Sequence, residues 1–395
     1  MMATPPPVVR FVDVAVNLTD PCFRGIDRER QGVRLRPDDF DDMMRRAADR
    51  QIEAIIITGT SIAQSREAVQ LCRQWNHRCR EADLAGATRV PRLPRLYCTV
   101  GVHPAHVDEL FEDHTASDVG SDINATSAQG TAAICDRISS TTLGALRSLV
   151  TMNRDVVVAL GEIGTDGAEL RPPGVTLSRQ RLGFHAQLDL LSDINHQLSG
   201  GSEGNEIHGG CARGEYLSLP VLLHSREASE DFLAVLEAFH TADRCGGHHG
   251  VLHCFGGSRD ELNRVLALGY SVSVCMSAFR TEETAKLVAT SLPLDRLMLE
   301  TDAPWCDLRP QHWAFTHVTT HFPTRKLDKW VPGVIVARQT EPCHIVQVME
   351  ALVHARHCFG VTDKAACDMA TDMASVAHAA FSNACRIFRL PYTRL

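Results

Sequence analysis

A recurring alternation constrains this chain more than any other feature. Short, mostly apolar runs take turns with stretches of helical spacing, about eight times over. The runs lie at 10–18, 52–58, 96–104, 155–164, 219–226, 250–255, 270–274 and 297–299. Few of them show strict polar alternation, which suits strands buried on both faces of a parallel sheet. Helical segments are expected at 37–50, from an N-cap at Ser61 to about 75, and at 142–152, 177–191, 228–240, 259–268, 282–290, 344–357 and 373–388. Eight successive βα units predict an α/β fold of the TIM (β/α)8 barrel type.

At 395 residues the chain is long for one domain but normal for a barrel with insertions. The reading is a single barrel domain over 10–391, with polar or Gly-rich surface insertions near 76–95, 113–140 and 192–218. Residues 1–9 lack the basic and apolar regions of a signal peptide and read as a short disordered leader. No apolar run approaches the ~18 residues of a membrane span.

The 14 cysteines include no C-x-x-C pair, and Cys98, Cys275 and Cys385 sit in apolar segments. They are expected to be reduced, small hydrophobes of an intracellular protein, in cytoplasm, nucleus or an organelle. The net charge of −8, 40 basic against 48 acidic residues, gives no basic footprint for nucleic acid. A bound divalent cation would still admit a phosphate substrate. No obligate protein partner is evident.

Chemistry-capable residues stand at the carboxyl ends of five runs: His103, Glu162, His224, His253 and Asp302. In a barrel those ends converge on one rim. Glu162, His224, His253 and Asp302 together make a divalent-metal site of mixed oxygen and nitrogen donors. That mixture favours Mg²⁺, with Mn²⁺ and Zn²⁺ as the other candidates. Cys254 directly follows His253 and is expected to point to the opposite face of its strand.

The expected catalytic groups are Asp302, Glu162 and His103. The cation would orient a substrate oxyanion and activate a water, Asp302 would accept that water's proton, and His103 would donate to substrate or leaving group. Arg226 is expected either to pair with a phosphate oxygen or to form a rim ion pair. Trp305, Trp313, Phe315, Phe322 and Trp330 follow the last strand and would stack on unpaired bases or pack as a lid. Ser225 lacks a Gly-x-Ser-x-Gly context, which argues against a serine nucleophile.

Seven stretches resemble the TatD-type metal-dependent deoxyribonucleases, in family order along nearly the whole chain. They are Phe11-Val12-Asp13-Val14-Ala15-Val16-Asn17-Leu18-Thr19, Gly101-Val102-His103-Pro104, Gly161-Glu162-Ile163-Gly164, Leu222-Leu223-His224-Ser225-Arg226, Leu252-His253-Cys254-Phe255-Gly256-Gly257, Glu300-Thr301-Asp302-Ala303-Pro304-Trp305 and Glu341-Pro342-Cys343-His344. The resemblance is to the eukaryotic branch. It implies a TIM barrel, a divalent metal and hydrolysis of nucleic-acid phosphodiesters, commonly of single-stranded DNA from the 3′ end, with RNA as a further substrate.

The resemblance also implies that Glu162, His224, His253 and Asp302 hold the metal and that His103 lies near the substrate. Ala15-x-Asn17 departs from the His-x-His pair of many relatives, Gly164-Thr165-Asp166-Gly167 keeps only the aspartate of another motif, and Thr340 replaces an asparagine before Glu341. Two other readings stay open: a hydrolase of a small amide or lactone on the same barrel, and a catalytically idle nucleic-acid-binding protein.

Overall fold

The computed structural model describes residues 9–28, 30, 32–85, 92–112, 137–168, 175–200, 218–241, 249–360 and 369–392. Eight parallel strands follow one another in chain order around a barrel. They are β1 (Phe11–Val16), β2 (Ile52–Ile57), β3 (Arg95–Val100), β4 (Val157–Asp166), β5 (Val221–Arg226), β6 (Gly250–Leu252), β7 (Ser271–Val274) and β8 (Leu297–Leu299). Among the described residues seven α-helices cross between them: α1 (Phe40–Asp49), α2 (Ile62–Leu84), α3 (Ser140–Met152), α4 (Leu177–Gly200), α5 (Ser229–Thr241), α6 (Arg259–Ala267) and α7 (Glu282–Ser291). Two more, α8 (Ile345–Cys358) and α9 (Met369–Phe388), end the chain.

The helices start where short side chains can take over orphan amides. Ser61, Ser139, Ser258 and Thr281 each accept a backbone N–H from three residues on. Such caps contribute roughly 0.5–2 kcal/mol each.

Each neighbouring strand pair from β1 to β8 is parallel and hydrogen-bonded. The seam between β8 and β1 is made just beyond β8. Asp302 N–H donates to Ala15 at 3.0 Å, and Asn17 N–H donates to Ala303 at 2.8 Å. The buried Asp13 carboxylate adds a side-chain link, accepting Thr301 N–H at 2.9 Å and the Thr301 hydroxyl at 2.6 Å.

Alternate strand residues fill the barrel interior. Val12, Val14, Ala54, Ile56, Ala159, Leu222, Val251 and Met298 form one buried cluster with Phe381, Ala384, Cys385 and Phe388 of α9. The last helix therefore stops the amino-terminal end of the barrel. The period of two then carries the same inward face from Leu222 to His224, from Val251 to His253 and from Met298 to Glu300. The functional mouth lies at the carboxyl end.

Two expected boundaries are corrected. The polar stretch from 76 onward is not a loop at its start, because α2 continues to Leu84. Cys72, Trp75, Asn76 and Cys79 recur at helical spacing and are buried, which outweighs the polar composition around them. Likewise α4 runs past 191 to Gly200, with Ile194 and Asn195 buried. The same device ends both crossovers. The Asn76 side chain brackets Leu96, accepting its N–H at 2.9 Å and donating to its carbonyl at 2.7 Å. Asn195 does the same for Leu219, at 2.5 and 3.1 Å. The leader (1–8) and most of the insertions (86–91, 113–136 and 201–217) lie outside the described residues.

Phe388→Ala is expected to destabilise the fold by about 3–5 kcal/mol, because the emptied plug cannot fully collapse. A shift of the denaturation midpoint in urea, with metal affinity at the far end unchanged in the folded protein, checks it.

Candidate metal centre

Glu162 is the hub of the mouth. Its Oε1 lies 2.6 Å from His224 Nδ1, 2.7 Å from His253 Nε2 and 3.4 Å from His103 Nε2. His224 Nδ1 and His253 Nε2 are themselves 3.1 Å apart. The donor atoms of Glu162, His224 and His253 all lie within 4.8 Å of one another, as do those of His103, Asp166 and His224. His224 belongs to both sets, with its Nε2 3.6 Å from Asp166 Oδ2.

Strand geometry puts these groups together. His224 and His253 continue the inward face of β5 and β6. Glu162 reaches it through an irregularity in β4, where the register against β5 shifts between Leu160 and Ile163. Gly161 sits there at φ 141°, and a Cβ on it would meet the Leu222 carbonyl at 2.3 Å, so only glycine fits. His103 caps the 3-10 turn Pro104–Leu110, its Nδ1 accepting Ala105 N–H at 3.0 Å. That bond leaves Nε2 as the protonated nitrogen, aimed at Glu162.

Two amides on α4 hold the strand ends that flank the hub. Gln180 accepts Asp166 N–H at 2.8 Å and donates to its carbonyl at 3.1 Å. Gln187, seven residues later on the same helix face, does the same for Val102 at 2.8 and 3.0 Å. Both glutamines are fully buried.

Burial and charge compete at every group. Burial alone would raise the Glu162 carboxyl, but His253, His103 and His224 outweigh it and hold it well below the usual carboxylate range. Burial would lower His253; Glu162, and then Glu300, push it well above the ordinary imidazole value. Burial likewise opposes His224, and the contacts to Asp166 and Glu162 raise it. For His103 burial prevails and the ring is held low. Asp302 is held high, first by burial and then by its neighbour Cys306.

These residues suit a cation. His224 Nε2 and His253 Nδ1 are buried with no hydrogen-bond partner among the described residues. The trio sets two imidazole nitrogens and one carboxylate oxygen within 4.8 Å of one another, a donor set that a divalent ion can take once the ring protons leave.

Three of the four expected ligands, Glu162, His224 and His253, thus converge, with His103 beside them. Asp302 stands outside that trio. It turns back through a left-handed backbone, φ 52°. Its Oδ1 accepts from Asn17 at 3.3 Å, and its Oδ2 faces Cys306 at 3.4 Å and Cys254 at 3.6 Å. Asn17, at the position of the missing imidazole, also accepts the Thr58 hydroxyl at 2.7 Å.

Arg226 is tied to Asp166 at 2.9 Å, with its own side chain 56% exposed, so the rim ion pair is the observed arrangement. Asp166 is the member that strand-end reasoning left without a role. The signal was its place in Gly164-Thr165-Asp166-Gly167, two residues past a motif whose glutamate was already singled out. The expectation for Cys254 fails: β6 ends at Leu252, Cys254 is left-handed at φ 46°, and strict alternation no longer applies. Glu341 serves the scaffold, bound to Arg46 at 2.7 and 2.8 Å.

The family model described as "TatD related DNase" matches residues 12–199 and 210–389. The chain belongs to the TatD-related DNase family. Among its TatD relatives, Deoxyribonuclease Tat-D of Schizosaccharomyces pombe is 30% identical over 346 residues, covering 87% of this chain and 88% of its own. The 3′-5′ ssDNA/RNA exonuclease TatD of Erwinia amylovora is 30% identical over 306 residues, covering 76% of this chain and 83% of its own. A crystal structure of a TatD-family hydrolase from Entamoeba histolytica superposes with a TM-score of 0.69 at 22% identity, over 96% of this chain and 98% of that one. That likeness shows the barrel fold.

Cation binding must displace protons from His253 and His224, so affinity is expected to rise with pH through the range above the ordinary imidazole value of about 6.5. In the metal-free protein the two groups act in opposite directions. The raised His253 stabilises the fold below its unfolded value and loses that contribution as pH climbs through its folded value; the depressed Glu162 stabilises above about 4.3 and loses it as pH falls. Calorimetric titrations of metal across pH, beside thermal melts of the stripped protein, read both. Affinity that falls with rising pH would contradict the assignment.

Proposed function

We propose that this chain is a metal-dependent nuclease that hydrolyses phosphodiester bonds of DNA, acting from the 3′ end of single strands and accepting RNA as a second substrate. The observation that carries the reading is the convergence of Glu162, His224 and His253 at the mouth of a TatD-family barrel. The names of the yeast and bacterial relatives support the substrate class. The ion supplies Lewis acidity and an activated water when bound.

The chain's own residues then divide the work. Glu162, His224 and His253 hold the cation, with Asp166 fixing His224 from behind. Burial raises the Asp302 carboxyl above its ordinary range, which makes its ionised form a stronger base for a proton released during attack. His103 presents Nε2–H from a ring braced at Nδ1, which suits a hydrogen bond to a leaving oxygen. The mixed oxygen and nitrogen donors of the trio suit Mg²⁺ or Mn²⁺, with Zn²⁺ as the third candidate.

Of the five aromatics after β8, Trp305 and Phe315 are the exposed ones, and Trp305 is 48% exposed beside the mouth with Arg28 stacked 4.2 Å from its ring. Trp313 instead packs on His317 and Phe359, as a lid residue would. We read Trp305 as a stacking platform for an unpaired base. Among the described residues no helix is long and apolar enough to cross a membrane. All cysteines among the described residues are free, which supports an intracellular location.

Purified protein is to be assayed with Mg²⁺, Mn²⁺ and Zn²⁺ against 3′- and 5′-labelled single-stranded DNA, RNA, duplex DNA, and small amides and lactones. Chelator-sensitive release of mononucleotides from the 3′ end is expected. Full activity in Glu162→Ala, or turnover confined to amides and lactones, overturns the reading. Asp302→Asn is expected to lower kcat by about 10²–10⁴ with metal affinity at the trio retained. Trp305→Ala is expected to raise KM for single strands roughly fivefold to a hundredfold with kcat little changed. An unchanged KM would return Trp305 to the surface.

A further inference from the structure

Three thiols meet beside the trio, on the far side of Asp302. Cys254 Sγ lies 2.9 Å from Cys275 Sγ and 3.9 Å from Cys306 Sγ. The three sulfurs all lie within 4.8 Å of one another. They come from the ends of three consecutive strands, β6, β7 and β8, so the barrel brings them together as it does the trio. None is in a disulfide. Cys254, Asp302 and Cys306 all hold left-handed backbone, at φ 46°, 52° and 56°. Strain of that kind collects where a site is built.

We propose that Cys254, Cys275 and Cys306 form a second cation site, selective for a thiophilic d¹⁰ ion such as Zn²⁺, with Asp302 supplying the oxygen ligand. The spacing fits. Zinc–sulfur bonds of about 2.3 Å in a tetrahedron place sulfurs about 3.8 Å apart. The Cys254–Cys306 pair already stands at that separation, and the Cys254–Cys275 pair needs to open by roughly 0.9 Å, a side-chain torsion. Asp302 Oδ2 lies 3.4 and 3.6 Å from two of the sulfurs. Ser277 Oγ, 2.9 Å from Cys275 and 3.4 Å from Cys254, offers a further oxygen.

The surroundings favour a cation over bare thiolates. Glu300 is fully buried beside the cluster and is engaged by Cys254 N–H and by the Ser273 hydroxyl. Three ionised sulfurs next to two carboxylates require a positive ion. Binding releases the thiol protons to solvent. The donor chemistry also separates the two sites: sulfur selects zinc-like ions, and the oxygen and nitrogen donors of the trio accept harder ones. An ion among the thiols would draw Asp302 to itself and take it from turnover; only this consequence rests on the nuclease reading.

The test reads binding without turnover. Full-length protein, reduced with a phosphine and stripped with chelator, is titrated with Co²⁺ as a coloured stand-in for Zn²⁺. A near-ultraviolet thiolate-to-cobalt band is expected, bleached by Zn²⁺ and lost in Cys275→Ser and in Cys306→Ser. Serine at 275 can still accept the Ser277 N–H that the cysteine accepts. In the wild-type chain Zn²⁺ is expected to protect Cys254 and Cys306 from alkylation, mapped by mass spectrometry, so the result does not depend on a variant folding. No band in reduced wild-type protein, a band that persists in both variants, or alkylation indifferent to Zn²⁺ overturns the proposal. A protein that gives the band but never cleaves nucleic acid leaves the thiol site standing and removes only the nuclease reading.

Discussion

The seam between the first strand and the last is the constraint on which the mouth of this barrel depends. Eight strand ends face one another only if β8 returns to β1. The join is short, two backbone bonds from Ala15 and Asn17 to the segment after β8. Asp13 reinforces it from inside the wall. Burial raises the Asp13 carboxyl well above its ordinary range, opposed by the two bonds from Thr301. The same turn presents Asp302, so a residue that shuts the barrel sits next to one that faces the site. Closure and chemistry share one loop.

Charge at the mouth is balanced within a few ångströms. Glu162 is ionised because three imidazoles surround it, and two of those imidazoles are raised because Glu162 and Asp166 stand against them. Removing one partner would strand a buried charge, the costly way to break such a network. Glu162, His224 and His253 could exchange those protons for a divalent ion without disturbing the scaffold, since the donors are held from outside. Gln180 and Gln187 fix the strand ends, Ala105 fixes His103, and Arg226 fixes Asp166. The site is rigid through its supports.

The thiols obey the same geometry one step around the rim. Cys275 directly follows β7 in extended backbone, while Cys254 after β6 and Cys306 in the turn beyond β8 are left-handed. A chain reader who treats cysteines as small hydrophobes is right for Cys72, Cys98 and Cys385, which are buried in apolar clusters. For Cys254, Cys275 and Cys306 that reading leaves out their mutual distance, which spacing in the chain does not encode.

Periodicity by itself determined the barrel: buried strands need uninterrupted apolar runs, crossovers need helical spacing, and the count of units left few alternatives. It also pointed to Glu162, His224 and His253 on the rim side of their strands, although β4 runs on past Glu162 to Asp166. Local composition misjudged 76–84 and 192–200, because a polar helix needs only one buried stripe, such as Cys72, Trp75 and Cys79, to persist. Tertiary structure alone decided that Asp302 turns aside from the trio while Asp166 supports it. The reason is physical: alternation along a strand predicts direction only while the pleat lasts. At the rim, left-handed residues and the bonds of neighbouring strands set where each side chain points.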